Sequence, residues 1–170
     1  TGTTKTSAGK VVLTSQEKAG STSRLLSRLT STTRTSTPRR TTIGVDSNRL
    51  ALLVAVLEKK AGLHLGGQDI FLNVAGGARL TEPAADLAML LAVASSHLDR
   101  PVSPHAVVFG EVGLAGEVRA VTQPEPRIGE AAKLGFSQCV LPSGNMRRLS
   151  PGTMELQAVT TVQEALQFLL

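Results

Sequence analysis

The stretch from residue 76 to residue 98 constrains the fold more than any other part of this sequence. It contains a Gly-Gly corner, a Thr-Glu-Pro helix start and a run from 87 to 93 that is apolar on every side. A helix without a polar face must be enclosed by the rest of the chain. We expect Thr81 to cap this helix, Pro83 to lie in its first turn and Asp86 to favour its dipole. The sequence therefore predicts a domain built around one buried helix.

The positive charge is concentrated at the N-terminal end. Residues 1 to 40 contain eight Lys or Arg and one acid, whereas residues 41 to 170 contain ten Lys or Arg and twelve acids. The basic character thus belongs to a segment rich in Thr and Ser, and the remainder is close to neutral. Arginines of this segment are either solvated surface residues or contacts for DNA phosphates. The candidates for DNA contact are Arg24, Arg28, Arg34, Arg39 and Arg40.

Several classes of protein and site are disfavoured by the composition. No apolar run reaches the roughly 18 residues that span a bilayer, and the first residues are polar, so we expect a soluble, cytoplasmic protein without a membrane partner. Cys139 is the single cysteine and is predicted to be a buried, inert thiol. The three histidines lie on separate elements without metal-ligand spacing. These are His64, His97 and His105.

Strand and helix signals alternate along the chain and predict an α/β fold with a mixed sheet. The predicted strands are at 11–13, 25–29, 41–45, 69–74, 138–141 and 158–159, with a hairpin over 107–121. The first two are expected to be edge strands, followed by an exposed linker at 30–37. The predicted helices run from Asp46 or Ser47 to Lys60, from 81 to 98, from 127 to 134 and from 161 or 162 to 170, with a short turn or helix at 143–148.

The segment Thr-Glu-Pro-Ala-Ala-Asp at 81–86 resembles the Gly-Pro-Ser-Ala-Gly turn of Lon-type proteases. In that family the serine is the nucleophile of a Ser-Lys pair, and alignment on Pro83 places Ala84 at its position. Beyond Gly110 the order of elements is also similar to the Lon proteolytic domain, and an ungapped count back from Gly135 places Glu125 where the lysine is expected. A methyl group cannot attack a carbonyl, and a carboxylate cannot replace the lysine. The resemblance therefore implies a degenerate dyad.

The enzymatic alternative is a Ser-Lys peptidase that uses other residues of this chain, with Lys133 and either Ser95 or Ser96 as candidates. Lys133 lies eight residues beyond Glu125, which is about 12 Å along a helix. Ser95 and Ser96 lie near the far end of the central helix, at a similar distance from the helix N-terminus that would supply oxyanion donors. Both distances disfavour catalysis.

Four segments make the resemblance more specific than a likeness to Lon proteases in general. They are the motif runs at 79–86 and 109–119, Pro-Arg-Arg at 38–40 and the apolar helix at 46–57. They are similar to the C-terminal Lon-like domain of the RadA (Sms) family of bacterial DNA repair proteins. The match covers residues 37–170 and leaves 1–36 as a basic N-terminal segment. It implies a ribosomal protein S5 domain 2-like fold with Lon proteolytic-domain architecture. Pro124, Pro126 and Gly129 depart from the family pattern and predict a late or distorted helix start.

The resemblance also implies a function. It predicts a non-catalytic scaffold for a homo-hexameric ring beneath a RecA-like ATPase that drives branch migration, with single-stranded or branched DNA as partner and a RecA-type recombinase as a candidate partner. ATP, Mg and Zn are expected only in other domains of such a protein, and no cofactor in this chain. The chain has no Trp or Tyr, and three of its four Phe, namely Phe71, Phe109 and Phe168, lie in strand or hydrophobic-helix contexts. DNA contact is therefore expected through phosphates rather than base stacking, with a steep salt dependence. A pure protein-interaction domain remains the other alternative.

Overall fold

The computed structural model describes residues 7–14, 22–30, 38–74, 79–147, 149 and 152–170. The strands are β1 (Ser7–Thr14), β2 (Thr22–Thr30), β3 (Arg40–Ile43), β4 (Asp69–Val74), β5 (Ala106–Val108), β6 (Glu111–Val112), β7 (Val118–Arg119), β8 (Gln138–Pro142) and β9 (Glu155–Val159). The helices are α1 (Ser47–Ala61), α2 (Asp86–Leu98), α3 (Pro124–Lys133), α4 (Ser143–Met146) and α5 (Val162–Leu169).

Within these ranges, seven strands form one mixed sheet in the order β3-β4-β2-β1-β5-β8-β9, and β6 pairs with β7. β2 is antiparallel to both of its neighbours, whereas the other pairs in the large sheet are parallel. The predicted α/β class with a mixed sheet is confirmed. The prediction that the two N-terminal strands lie at the edge is wrong, because β1 and β2 each pair on both sides and occupy the middle of the sheet.

Two apolar clusters cover opposite faces of the sheet, as the alternation along β5 shows. Val108 belongs to the larger cluster, which contains the buried residues of α1, α2 and α5. Val107 and Phe109 belong to the smaller one, which includes Ala131 of α3. Successive residues of a strand point to opposite faces. α2 therefore lies on one side of the sheet and α3 on the other.

The predicted central helix is confirmed as a buried element, since residues 86–96 of α2 are all buried. Its start differs from the prediction. A 3-10 turn, Pro83–Ala85, precedes the helix, and Thr81 is not the N-cap. Pro83 lacks an N–H and is compatible with the first residue of such a turn, and the Thr81 carbonyl accepts a hydrogen bond from Arg49 instead.

Helix α3 begins at Pro124, three residues before the predicted start. The prolines do not delay it, because the N–H groups of the first turn have no partner within a helix. α1 agrees with the prediction: the Asp46 side chain accepts from the Arg49 N–H at 2.9 Å, and Gly62 ends the helix at φ 69°. The predicted hairpin over 107–121 divides into β5 of the large sheet and the small β6–β7 hairpin.

Candidate functional site

Ala84 marks the position at which the Lon resemblance places the nucleophile. It lies buried in the turn before α2, and its carbonyl accepts a hydrogen bond from the Gly110 N–H at 2.8 Å. The Gly110 carbonyl accepts in turn from the Leu87 N–H at 3.0 Å. A Cβ at Gly110 would lie 2.9 Å from Val118 Cγ1, so this close backbone approach requires glycine. The turn holds a methyl group, and no hydroxyl, at this point.

A buried ion pair joins this turn to α3. Arg127 is 2% exposed, and its Nη2 contacts Glu82 Oε1 while Nη1 lies 3.2 Å from Oε2. Its Nε donates to the Thr122 carbonyl at 3.1 Å, and its guanidinium carbon lies 5.9 Å from the centre of the Phe109 ring. Burial lowers the pKa of Arg127, and the Glu82 carboxylate supplies the opposite charge that a buried cation requires. The pair fixes α3 against the start of α2.

A second ion pair joins the same turn to α1. Arg49 Nε lies 2.5 Å from Asp86 Oδ1, and its other nitrogens donate to the Thr81 and Glu82 carbonyls at 3.0 Å and 2.7 Å. Burial raises the pKa of Asp86, and the hydrogen bond and charge of Arg49 oppose that rise. The segment around Ala84 is therefore held from both sides by guanidinium groups.

Glu125, at the predicted lysine position, lies exposed in the first turn of α3. It lines a cavity of about 350 Å³ together with Ile128 of the same helix and Met154 before β9. Arg127, two residues on, is buried and directed to Glu82. The two positions that the resemblance aligns with the dyad thus differ in environment: Ala84 is buried and Glu125 is at the surface.

The candidate residues for an alternative Ser-Lys pair make other contacts. Ser95 and Ser96 are buried near the end of α2, and Ser95 Oγ donates to the Arg100 carbonyl at 2.5 Å. Lys133 is exposed on α3 and pairs with Glu130 at 2.8 Å. Because α2 and α3 lie on opposite faces of the sheet, the serines and the lysine are not assembled into one site.

The other reactive side chains are dispersed. Cys139 is buried as predicted, and burial raises the pKa of its thiol to about 12, so the thiol is protonated and inert at neutral pH. His64 and His105 are exposed, and His97 is half-buried. Across the described ranges, no three His, Cys, Asp or Glu side chains gather into a group that could hold a metal ion.

His97 gives the stability of the domain a predictable pH dependence. Burial, and secondarily the nearby His64, lower the pKa of His97. The unfolded chain therefore takes up this proton first, and stability should decline as the pH falls below about 6.5 and level off below the folded-state pKa. Urea unfolding at a series of pH values should show this decline in the wild type and less of it in His97→Gln. An NMR titration that placed His97 at or above the ordinary histidine pKa would contradict this.

One half of the sheet leaves a face open to solvent. Ile70, Leu72 and Val74 of β4 are buried in the larger cluster, so the alternate residues belong to the other face. On that face Asn73 of β4 is exposed, and Ile43 at the end of β3 is 60% exposed. No helix of the described ranges packs there. We call this surface the helix-free face and define it by Thr41, Ile43, Asp69, Phe71 and Asn73.

The predicted pair of adjacent arginines is divided between the two faces. Arg40 pairs in register with buried Ile70 and is half-buried. Arg39 directly precedes β3 and is exposed, like Thr41 and Ile43. Its N–H donates to Asp69 Oδ1 at 2.8 Å, which fixes the backbone where the chain enters the sheet. Of the two, Arg39 therefore borders the helix-free face.

The remaining predicted arginines come from the N-terminal segment. Arg28 on β2 is paired in register with Phe71, and Arg24 is paired with Val12 of β1. Arg34 lies outside the described residues. The register therefore brings Arg28 and Arg39 to the same half of the sheet, although eleven positions separate them in the sequence.

Two residues of these sites were missed by the sequence analysis. Phe71 alternates with the buried Ile70 and Leu72, and this period of two was a usable signal that Phe71 lies on the other face. Arg127 had no such signal, because a lone arginine in a helix is normally exposed. Only the tertiary structure reveals its partner, Glu82.

A comparison with protein families gives a match over most of the chain. The family model described as subunit ChlI of Mg-chelatase matches residues 23–145, which is more than half of the sequence. The chain belongs to this family. The match starts within β2 and ends in α4, so it includes both segments that hold Ala84 and Glu125.

Individual relatives are named DNA repair protein RadA. The one from Halalkalibacterium halodurans is 46% identical over 164 residues, which are 96% of this chain and 36% of the relative. Those from Escherichia coli and Streptococcus pneumoniae are 49% and 48% identical over 129 and 130 residues, 76% of this chain and 28% and 31% of the relatives. The chain therefore spans about a third of the length of these curated relatives. The Lon likeness remains a prediction.

No helix in the described part of the chain is both long enough and apolar enough to cross a membrane.

Proposed function

We propose that this chain is the non-catalytic, Lon-protease-like domain of a RadA-type DNA repair protein. In that role it supports assembly of a homo-hexameric ring and offers DNA phosphates a basic surface. Its parent protein would be a DNA-dependent ATPase that drives branch migration, with ATP, Mg and Zn bound by other domains and a RecA-type recombinase as a partner. The RadA relatives and the sequence motifs support this assignment.

The single observation that carries the non-catalytic part is the environment of Ala84. A peptidase needs an accessible nucleophile beside oxyanion donors. Here the side chain at that position is a buried methyl group, and the N–H groups of Gly110 and Leu87 are already bonded to backbone carbonyls. The residues around it serve packing and ion pairing instead.

The DNA-binding part depends on the helix-free face. Arg39 is exposed beside it, and Arg28 of β2 is the register partner of Phe71. Guanidinium groups bind phosphate oxygens through charge-assisted hydrogen bonds. Because β1 and β2 are interior strands, truncating residues 1–40 would dismantle the sheet, so point substitutions are the appropriate probe.

Binding of a labelled single-stranded oligonucleotide to the chain tests the proposal. If the candidates other than Arg40, namely Arg24, Arg28, Arg34 and Arg39, contact phosphates, raising the salt from about 50 to about 200 mM should weaken binding roughly 50-fold. Fluorescence anisotropy measures this directly. Affinity that persists at high salt would contradict phosphate contact. Cleavage of an unstructured protein substrate, abolished by Ser95→Ala or Lys133→Ala, would instead establish the peptidase alternative.

Arg39→Ala should weaken DNA binding more than Arg40→Ala does. Arg39 is exposed beside the helix-free face, whereas Arg40 pairs with buried Ile70 on the other side of the sheet. Loss of one phosphate contact should make the slope of log K against log salt shallower by about 0.7 for a single strand. Arg147→Ala is the charge-matched control. Arg147 is exposed and follows α4 and β8, and β8 lies near the opposite end of the strand order from β3. An equal effect of all three would indicate only loss of net charge.

Assembly is tested separately by native mass spectrometry of the chain, with and without single-stranded DNA. A hexamer, or smaller ring fragments that grow when DNA is added, would support the scaffold role. A strict monomer under both conditions would show that this domain does not drive assembly by itself.

A further inference from the structure

An aromatic side chain, Phe71, lies within the helix-free face. On β3 its register partner is the exposed Thr41, and on β2 it is Arg28. The other β4 positions of this face are polar, namely Asp69 and Asn73. A half-buried phenyl ring is therefore placed among polar and basic positions.

The apolar core does not account for this ring. Ile70 and Leu72, its neighbours in the chain, are 0% and 1% exposed and pack in the larger cluster. Among the described residues, neither buried cluster contains Phe71. Helix α3 covers the same side of the sheet, but from β1 onward, where its Ala131 shares the smaller cluster with Val107 of β5 and Cys139 of β8. Phe71 is on β4, outside the part of the sheet that α3 covers.

We propose that the helix-free face binds single-stranded DNA, with an unpaired base stacked on Phe71 and the adjoining phosphates held by the flanking arginines. This inference rests on the proposed function and names its partner. The described cation beside this face is the exposed Arg39, and Arg28 is the register partner of Phe71, while the acid on the face, Asp69, accepts a hydrogen bond from the Arg39 N–H. Stacking on an aromatic side chain and cationic contacts to the backbone are the combination that binds single strands. This inference departs from the phosphate contact alone that the sequence predicted, because the structure shows Phe71 half-buried on a face without a described helix.

The geometry favours one strand over a duplex. The strands β3, β4 and β2 at a spacing of about 4.8 Å span roughly 10 Å, enough for one extended chain of nucleotides. Bases of a duplex are already stacked on one another and present only their edges in the grooves. A ring set in a sheet surface therefore reaches a base face only in an unpaired strand.

The test compares Phe71→Leu with Phe168→Leu in the full chain. Phe168 is 39% exposed on α5, which packs in the cluster on the opposite side of the sheet, and it provides a matched control. Each variant is titrated with a single strand of about 16 nucleotides containing 2-aminopurine, and with the corresponding duplex. Circular dichroism confirms the fold of each variant, and Phe71→Tyr restores a ring at the same position.

Phe71→Leu should weaken binding of the single strand roughly 5-fold or more, while the duplex affinity and the salt slope stay unchanged. Wild type and Phe71→Tyr should quench 2-aminopurine, and Phe71→Leu should not. Undiminished single-strand affinity in Phe71→Leu, with Arg39→Ala still weakening it, would overturn the stacking inference and leave the phosphate surface intact. Absence of DNA binding by the wild type would overturn the proposed function itself.

Discussion

Glu82→Gln is expected to lower the free energy of unfolding by about 3 kcal/mol, because it removes the carboxylate that is paired with the buried Arg127 guanidinium. The arginine side chain is 1% exposed, so the cation itself has little access to water. Urea unfolding monitored by circular dichroism measures the change. The ion pair is thus expected to be a structural requirement of the domain.

The control for this prediction is Glu130→Gln. Glu130 pairs with Lys133, whose side chain is 74% exposed, and such surface pairs contribute about 0 to 1 kcal/mol. The double variant Glu82→Gln with Arg127→Met should regain much of the lost stability, because it removes both charges and keeps an apolar side chain beside Phe109. Similar small effects of Glu82→Gln and Glu130→Gln would show that the buried pair is not needed.

Leu90→Ala is expected to destabilise the domain by about 2 to 5 kcal/mol. Leu90 is 0% exposed at the centre of α2, and this helix is packed by α1 and α5 on one side and by the sheet on the other. Removing its branched end leaves a cavity that surrounding elements cannot fill. Differential scanning calorimetry or urea unfolding of the variant gives the value.

Leu52→Ala provides the matched comparison, since the same substitution is made in α1 at a side chain that is 53% exposed. Its effect should remain within about 0.5 kcal/mol. If both variants lost the same stability, the central role of α2 would be refuted, because burial would then not determine the cost of the substitution.

The position that the Lon resemblance aligns with the nucleophile is held by contacts that do not involve its own side chain. Ala84 lies between two ion pairs, formed by Arg127 with Glu82 and by Arg49 with Asp86. Those pairs link α1, α2 and α3 and stabilise the turn independently of any side chain at position 84. The same arrangement buries the position where an attacking hydroxyl would need access to substrate.

The elements that the sequence predicted well are those set by local signals. Caps and hydrophobic periodicity act over three or four residues, and they located the capped α1, Ser47–Ala61, to within one residue and the end of the buried α2, but not its start. β4 was predicted with its observed bounds, Asp69–Val74. The degenerate character of Ala84 and Glu125 also follows from residue type alone, once the alignment is accepted.

The tertiary structure alone decided which distant residues meet. In the register of the sheet, Arg28 is paired with Phe71 and Arg40 with Ile70, and Arg39 directly precedes β3. Arg40 therefore belongs to the face opposite to that of Phe71. The pair between Arg127 and Glu82 spans 45 positions in the chain. Strand order and ion pairs between distant segments depend on how whole elements pack, and no periodicity within one segment records that packing. The sequence by itself determined the helices and the cap of α1, whereas folding determined the starts of α2 and α3, the helix-free face and the ion pairs between distant segments.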